Sequence, residues 1–134
     1  MKLVANVDGG SRGNPGPAAI GVVIADEHGV VVEEVAETIG IATNNVAEYK
    51  AVLRAIERVT ALGAEELELI GDSELVCKQV IGLYKVKHEA MKPLFLEAIT
   101  GLKAIPKWSF RTVPRAQNAG ADALVNQALD AAAL

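Results

Sequence analysis

Cysteine is almost absent from this chain. Cys77 stands alone, so no disulfide forms within the molecule and no multi-cysteine zinc site exists. The two histidines, His28 and His88, lie far apart with no short His/Cys cluster around either. No apolar run approaches the ~20 residues that span a bilayer. The N-terminal stretch Met1–Val7 meets Asp8 before a signal-peptide core is complete. There is no linker or repeat, and the Ala131–Leu134 tail is the one biased segment. What is there suits a single globular domain spanning 1–134: 134 residues, 51% hydrophobic against 22% charged. The expectation is a soluble, cytoplasmic protein with no membrane partner.

The net charge of −4 hides an asymmetry. Residues 1–77 carry 13 acids against 5 bases, whereas residues 78–134 carry 4 acids against 8 bases. All eight of those bases fall between Lys78 and Arg115. A solvated face is one reading of that stretch, and a phosphate-bearing partner is the other.

Leu3–Val7 alternates as a strand does, and Gly9–Pro17 is rich enough in glycine and proline to read as a loop. Ile20–Ala25 and Gly29–Thr38 are β-branched runs flanking hairpin punctuation. From Thr43 the period lengthens. Val46, Tyr49, Leu53, Ile56 and Val59 predict a helix ending at Gly63, capped by Thr43 or Asn44. A strand follows over Glu66–Gly71, then helices over Ser73–Ile81 and Glu89–Leu102 with Pro93 in the first turn. Lys107–Val113 reads as a strand and Asn118 onward as a helix. The order β-β-β-α-β-α-α-β-α implies an α/β fold, with a mixed sheet and helices on its faces. Cys77 and the Trp108/Phe110 pair suit core positions.

The glycine-rich segment Asp8–Pro17 is not a nucleotide cradle. It lacks a Gly-Lys-Ser/Thr tripeptide, and it leads into the β-branched run Ile20–Ile24 rather than into a helix. Its informative residue is Asp8. Three further acids sit at element ends: Glu48 one turn into the first long helix, Asp72 after the fourth strand, and Asp122 near the start of the last helix. Singly, each suits a turn, a cap or a helix dipole. Four converging carboxylates would repel and need cations to stay ionised. All-oxygen donors suit Mg²⁺ or Mn²⁺ rather than zinc, and a pair of such ions serves phosphodiester displacement.

The motifs Asp8-Gly9 through Ser11-Arg12-Gly13-Asn14-Pro15-Gly16-Pro17, Thr43-Asn44-Asn45-Val46-Ala47-Glu48, Asp72-Ser73 and Asn118-x-x-Ala121-Asp122-x-Leu124 resemble ribonuclease HI. The likeness runs from about Leu3 to about Asp130, with the motifs in the family's order. It implies the ribonuclease-H-like fold with a five-stranded mixed sheet and helices on both faces. It also implies endonucleolytic cleavage of the RNA strand of RNA–DNA hybrids, leaving 5′-phosphate and 3′-hydroxyl ends. Asp8, Glu48, Asp72 and Asp122 match the family's catalytic, metal-binding carboxylates, which implies two Mg²⁺ ions, with Mn²⁺ able to substitute. Gly9, Gly10, Asn14, Asn44, Asn45 and Asn118 match substrate-binding positions. Glu74 stands where many members carry a neutral amide that touches the RNA strand.

Two departures mark a subgroup like the plant, archaeal and actinobacterial members. Val113–Asn118 lacks the loop histidine of many bacterial members; Arg115, which cannot act as a base, is expected to engage the phosphate near the cleaved bond. There is also no room between Ile81 and Met91 for the basic insertion of some relatives. Tyr84–His88, with Lys78 and Lys92, is expected to substitute, giving modest, salt-dependent affinity. Double-stranded RNA stays open as a second substrate, and the chain reads as a monomer or as one domain of a larger fusion. A hybrid-binding module without turnover and a DNA nuclease of the same fold stand as alternatives.

Overall fold

The computed structural model describes residues 1–133. The elements run β1 (Lys2–Ser11), β2 (Gly16–Asp26), β3 (Val31–Ala42), α1 (Asn44–Ala61), β4 (Glu66–Gly71), α2 (Glu74–Val80), α3 (Lys92–Lys103), β5 (Lys107–Thr112), a 3-10 turn (Arg115–Asn118) and α4 (Ala119–Ala132). The five strands form one sheet in the order β3-β2-β1-β4-β5. β1, β2 and β3 meander antiparallel, while β4 and β5 join in parallel after helical crossovers. This is the expected mixed α/β sheet with helices on both faces.

The two faces differ in what covers them. Leu3, Ala5 and Val7 of β1 point with Ile20, Val22 and Ile24 into a large core shared with α1, α2 and α3. Ala19 faces the other way and packs against Val125, Ala128 and Leu129 of α4. The α1 seam is turned from the expected one. It buries the small Ala47, Ala51 and Ala55 beside Tyr49, Val52, Ile56 and Val59, leaving Val46 and Leu53 half-buried. Alanines let the helix backbone sit close on the sheet, which a count of large side chains misses. Thr43 caps this helix, accepting from the Val46 N–H at 3.2 Å. Ser73 caps α2 by accepting from Val76 N–H. Cys77 is buried and donates to the Phe110 carbonyl at 3.5 Å. Phe110 is in the core, and Trp108 packs half-buried against it.

Three boundaries correct the sequence reading. The strand expected to end near Val7 continues to Ser11, because Asp8, Gly9, Gly10 and Ser11 pair with Gly21, Ile20, Ala19 and Ala18 of β2. The loop is therefore Arg12–Pro15. The third helix starts at Lys92 rather than Glu89, with proline in its first turn. Asn118 lies in the 3-10 turn that precedes α4. Leu134, the last residue of the expected 1–134 domain, lies outside the described residues. Among the described residues, no helix is long and apolar enough to cross a membrane.

Candidate active site

The site grows from a half-paired strand. β4 pairs with β1 only as far as Asn6, so beyond that point β1 keeps β2 on one side and loses its neighbour on the other. Alternate residues of a strand direct their backbone groups to the same side. On the open side the Val7 carbonyl accepts from Asn118 Nδ2 at 2.8 Å, the Gly9 N–H reaches Glu48 Oε1 at 3.4 Å, and the Ser11 N–H donates to Asn44 Oδ1 at 2.9 Å. Backbone groups that would otherwise be orphaned thus tie down the entry to α4, the acid of α1 and the start of α1. The Asn44 N–H in turn donates to Asn14 Oδ1 at 3.0 Å, which binds the loop to the same helix end.

Two glycines bring the helices close from opposite faces. A Cβ on Gly9 would stand 2.2 Å from the Ala47 carbonyl of α1, and one on Gly21 would stand 2.2 Å from the Ala121 oxygen of α4. Gly21 is the cross-strand partner of Asp8. The absence of a side chain there lets α4 descend until Asp122 adjoins Asp8.

One carboxylate oxygen each from Asp8, Glu48 and Asp72 lies within 4.8 Å of the others. They come from a strand interior, a helix one turn in, and the residue after β4. With Asp122, they line a cavity of about 600 Å³ whose rim includes Gly9, Gly10, Asn44, Asn45 and Arg115. Burial is the main cause that pushes the Asp8 carboxyl up to about 7, with the Asp72 charge adding to it. Burial likewise pushes Glu48 up to about 9, reinforced by the charge of Asp8. The donor set is carboxylate oxygen, with neither imidazole nor thiolate, and two of its members are buried carboxyls with no ion-pair partner among the described residues. That chemistry fits a hard divalent cation.

A pH effect follows. The folded chain keeps protons that the unfolded chain releases near the ordinary carboxylate values of 3.8 and 4.5. Each raised carboxyl therefore subtracts stability as pH climbs from about 4 toward 9. In EDTA, the Tm of Asp8→Asn should exceed that of the wild type by roughly 5–10 °C at pH 8 and converge with it near pH 4. Thermal melts across that range test this; a constant difference at every pH would refute it. Divalent cations should close part of the gap by raising the wild type more than the variant.

The remaining expected residues separate by exposure and by what they already bind. Asn45 faces the cavity and makes no side-chain hydrogen bond to a described residue. Asn44 faces it too, but its oxygen is engaged by Ser11. Arg115 is exposed, and its Nη2 donates to Asp122 Oδ1 at 3.1 Å. Asn118, expected as a substrate contact, is 1% exposed, donates to the Val7 carbonyl and accepts from Asn6, and so holds the turn before α4 in place. Asn14 is committed to the Asn44 N–H. Glu74 lies outside the cavity lining, held in an ion pair by Lys78 one helical turn on, which draws its carboxyl below the usual range.

The basic stretch is thinned by pairing. Lys78, Lys92, Lys107, Arg111 and Arg115 each face an acid. Among the described residues, Lys103 at the end of α3 and the loop lysines Lys85 and Lys87 have no such partner. The loop of Lys85 and Lys87, with exposed Leu83 and Tyr84, hangs from Gln79, which donates to the Lys85 carbonyl at 3.4 Å and accepts from Tyr49 at 2.6 Å. Arg12 and Asn126 also line the cavity, and sequence reasoning passed over both. The signal was present: Asp122, Asn126 and Asp130 recur at four-residue spacing, one face of a helix.

Known proteins share this arrangement of chain. A family profile described as "Reverse transcriptase-like" matches residues 6–128. The bifunctional protein Rv2228c of Mycobacterium tuberculosis is 44% identical over 134 residues, covering 99% of this chain and 37% of that protein. The chain thus spans little more than a third of that relative's length. The crystal structure of RNase H1 from Halobacterium salinarum superposes with a TM-score of 0.95 at 45% identity, covering 97% of this chain and 98% of that one. LC11-RNase H1, isolated from compost by a metagenomic approach, was solved in complex with an RNA/DNA hybrid. It superposes with a TM-score of 0.94 at 44% identity, covering 98% and 99% of the two chains.

Proposed function

Since this chain belongs to the reverse transcriptase-like family, among its type 1 ribonucleases H, we propose that it hydrolyses the RNA strand of RNA–DNA hybrids endonucleolytically. The products are 5′-phosphate and 3′-hydroxyl ends. The observation that carries this reading is the convergence of Asp8, Glu48 and Asp72, from three separate parts of the chain, within 4.8 Å at the floor of an open cavity. The hybrid bound to LC11-RNase H1 supports the choice of substrate.

Asp8, Glu48, Asp72 and Asp122 would hold two divalent cations, with Mg²⁺ the preferred ion and Mn²⁺ a substitute. When bound, these ions supply Lewis-acid activation of the attacking water and neutralise charge on the leaving 3′-oxygen. The protein's own groups do the rest. The Asn45 amide and the backbone around Gly9 and Gly10 face the groove where 2′-hydroxyls distinguish RNA from DNA without reading sequence. Arg115 stays protonated at any working pH, so it orients and neutralises the phosphate near the cleaved bond and moves no proton. Its hydrogen bond from Nη2 to Asp122 leaves the other guanidinium nitrogens for that phosphate.

Cleavage of an end-labelled RNA–DNA hybrid in Mg²⁺, in Mn²⁺ and in EDTA tests the reading, with duplex DNA and duplex RNA beside it. Cation-dependent cutting confined to the RNA strand of the hybrid is the expected result. Binding without cutting in either metal would favour a non-catalytic module, and cutting of duplex DNA a nuclease of different substrate. Arg115→Ala should lower kcat more than about tenfold through lost charge stabilisation, while leaving the fold intact. A kcat near wild type would remove Arg115 from the reaction.

A further inference from the structure

The cavity has an acidic floor, yet its proposed ligand is a polyanion. Of the described residues lining it, only Arg12 and Arg115 carry positive charge. Both are held by the same helix. Arg115 Nη2 donates to Asp122 Oδ1 at 3.1 Å, and Arg12 Nη2 donates to Asp130 Oδ1 at 2.5 Å and to Asn126 Oδ1 at 3.5 Å. Asn126 is itself aimed: its Nδ2 donates to the Asp122 carbonyl at 3.1 Å, leaving its oxygen for Arg12. Asp122, Asn126 and Asp130 thus form one polar stripe along α4 with an arginine at each end. Eight residues of helix separate the two acids by about 12 Å, longer than one internucleotide step, so the two guanidinium groups reach different phosphates.

We propose that Arg12 is a second phosphate-binding residue of the cleft, gripping the cleaved strand at a phosphate beyond the one at Arg115, with Asp130 and Asn126 as its positioning residues. Arg12 enters from the turn after β1, where its N–H donates to the Pro17 carbonyl at 2.8 Å. That bond anchors its backbone. Its side chain is 45% exposed, and only Nη2 is engaged by described residues, so Nε and Nη1 keep their donors for a phosphate. A role as a mere brace between turn and helix explains less. An ion pair this exposed contributes little to stability, and it needs neither the Asn126 contact nor a place on the cavity wall.

The inference rests on the ribonuclease reading, and the test separates the two. Steady-state cleavage and fluorescence anisotropy with a labelled hybrid are followed from low to moderate salt for the wild type, Arg12→Ala, Arg12→Lys and Asp130→Asn. Arg12→Ala should raise KM roughly tenfold and leave kcat within about twofold. It should also make the plot of log affinity against log salt shallower by about one unit, the loss of one phosphate contact. Arg12→Lys should keep the salt slope while recovering part of the affinity. Asp130→Asn keeps the charge of Arg12, so it should keep the slope and raise KM less than Arg12→Ala. An unchanged KM and slope in Arg12→Ala, with wild-type cleavage intact, would overturn this assignment alone. A wild-type chain that neither binds nor cuts the hybrid would overturn both readings.

Discussion

Asp72→Asn is expected to lower the rate of hybrid cleavage at least about 10³-fold while hybrid binding and Tm stay near wild type. Several kcal/mol of transition-state stabilisation pass through cation ligands of this kind, and each 1.36 kcal/mol is a factor of ten. Asp72 is the best of the carboxylates to test. It is only half-buried, at the junction where β4 ends and Ser73 caps α2. Asparagine keeps its shape and removes its charge. Asp8 and Glu48 are buried against each other, so neutralising either also changes stability, and a loss of rate there has two readings. The measurement is single-turnover cleavage of an end-labelled hybrid in Mg²⁺, with anisotropy for binding and a thermal melt for folding. Cleavage within tenfold of wild type would remove Asp72 from the reaction.

Gly9→Ala should be severely damaging for a single methyl group. Its Cβ would lie 2.2 Å from the backbone carbonyl of Ala47 and 2.6 Å from the nitrogen of Glu48. Neither atom belongs to a flexible side chain, so α1 must lift from the sheet. The cost is about 3 kcal/mol or more, a drop of roughly 10 °C in Tm. Activity should fall further than stability explains, because Glu48 moves with its helix. Gly10→Ala is the control. Its nearest neighbour would be Val125 Cγ1 at an ordinary 3.7 Å, so the same methyl one residue along should leave stability within about 1 kcal/mol of wild type. Equal effects at the two positions would mean that close approach of α1 is not what Gly9 serves.

Those two glycines also show where the sequence stops being readable. Both stand in one glycine-rich segment and look alike as turn residues. Which of them carries a helix depends on which face of β1 each occupies, and on β1 running on to Ser11. The mistaken loop start has the same origin. Gly9 and Gly10 are poor strand formers by themselves, but the register with β2 recruits them, an outcome set by pairing rather than propensity.

The order of the helices and strands, the cap at Thr43, the mixed sheet and the identity of the acids were all written in local pattern. Hydrophobic period, turn residues and capping chemistry act over a few residues, and so they survive in the linear text. Tertiary structure decided what those residues do with one another. It ended the β1–β4 ladder at Asn6 and so opened the strand edge that ties down Asn118, Glu48 and Asn44. It buried Asn118 and turned Glu74 away to Lys78. It brought Arg12 against Asp130, 118 residues further along the chain. Distances between side chains on different elements follow from sheet register and helix approach, and neither is encoded within a window that a reader of one sequence can see.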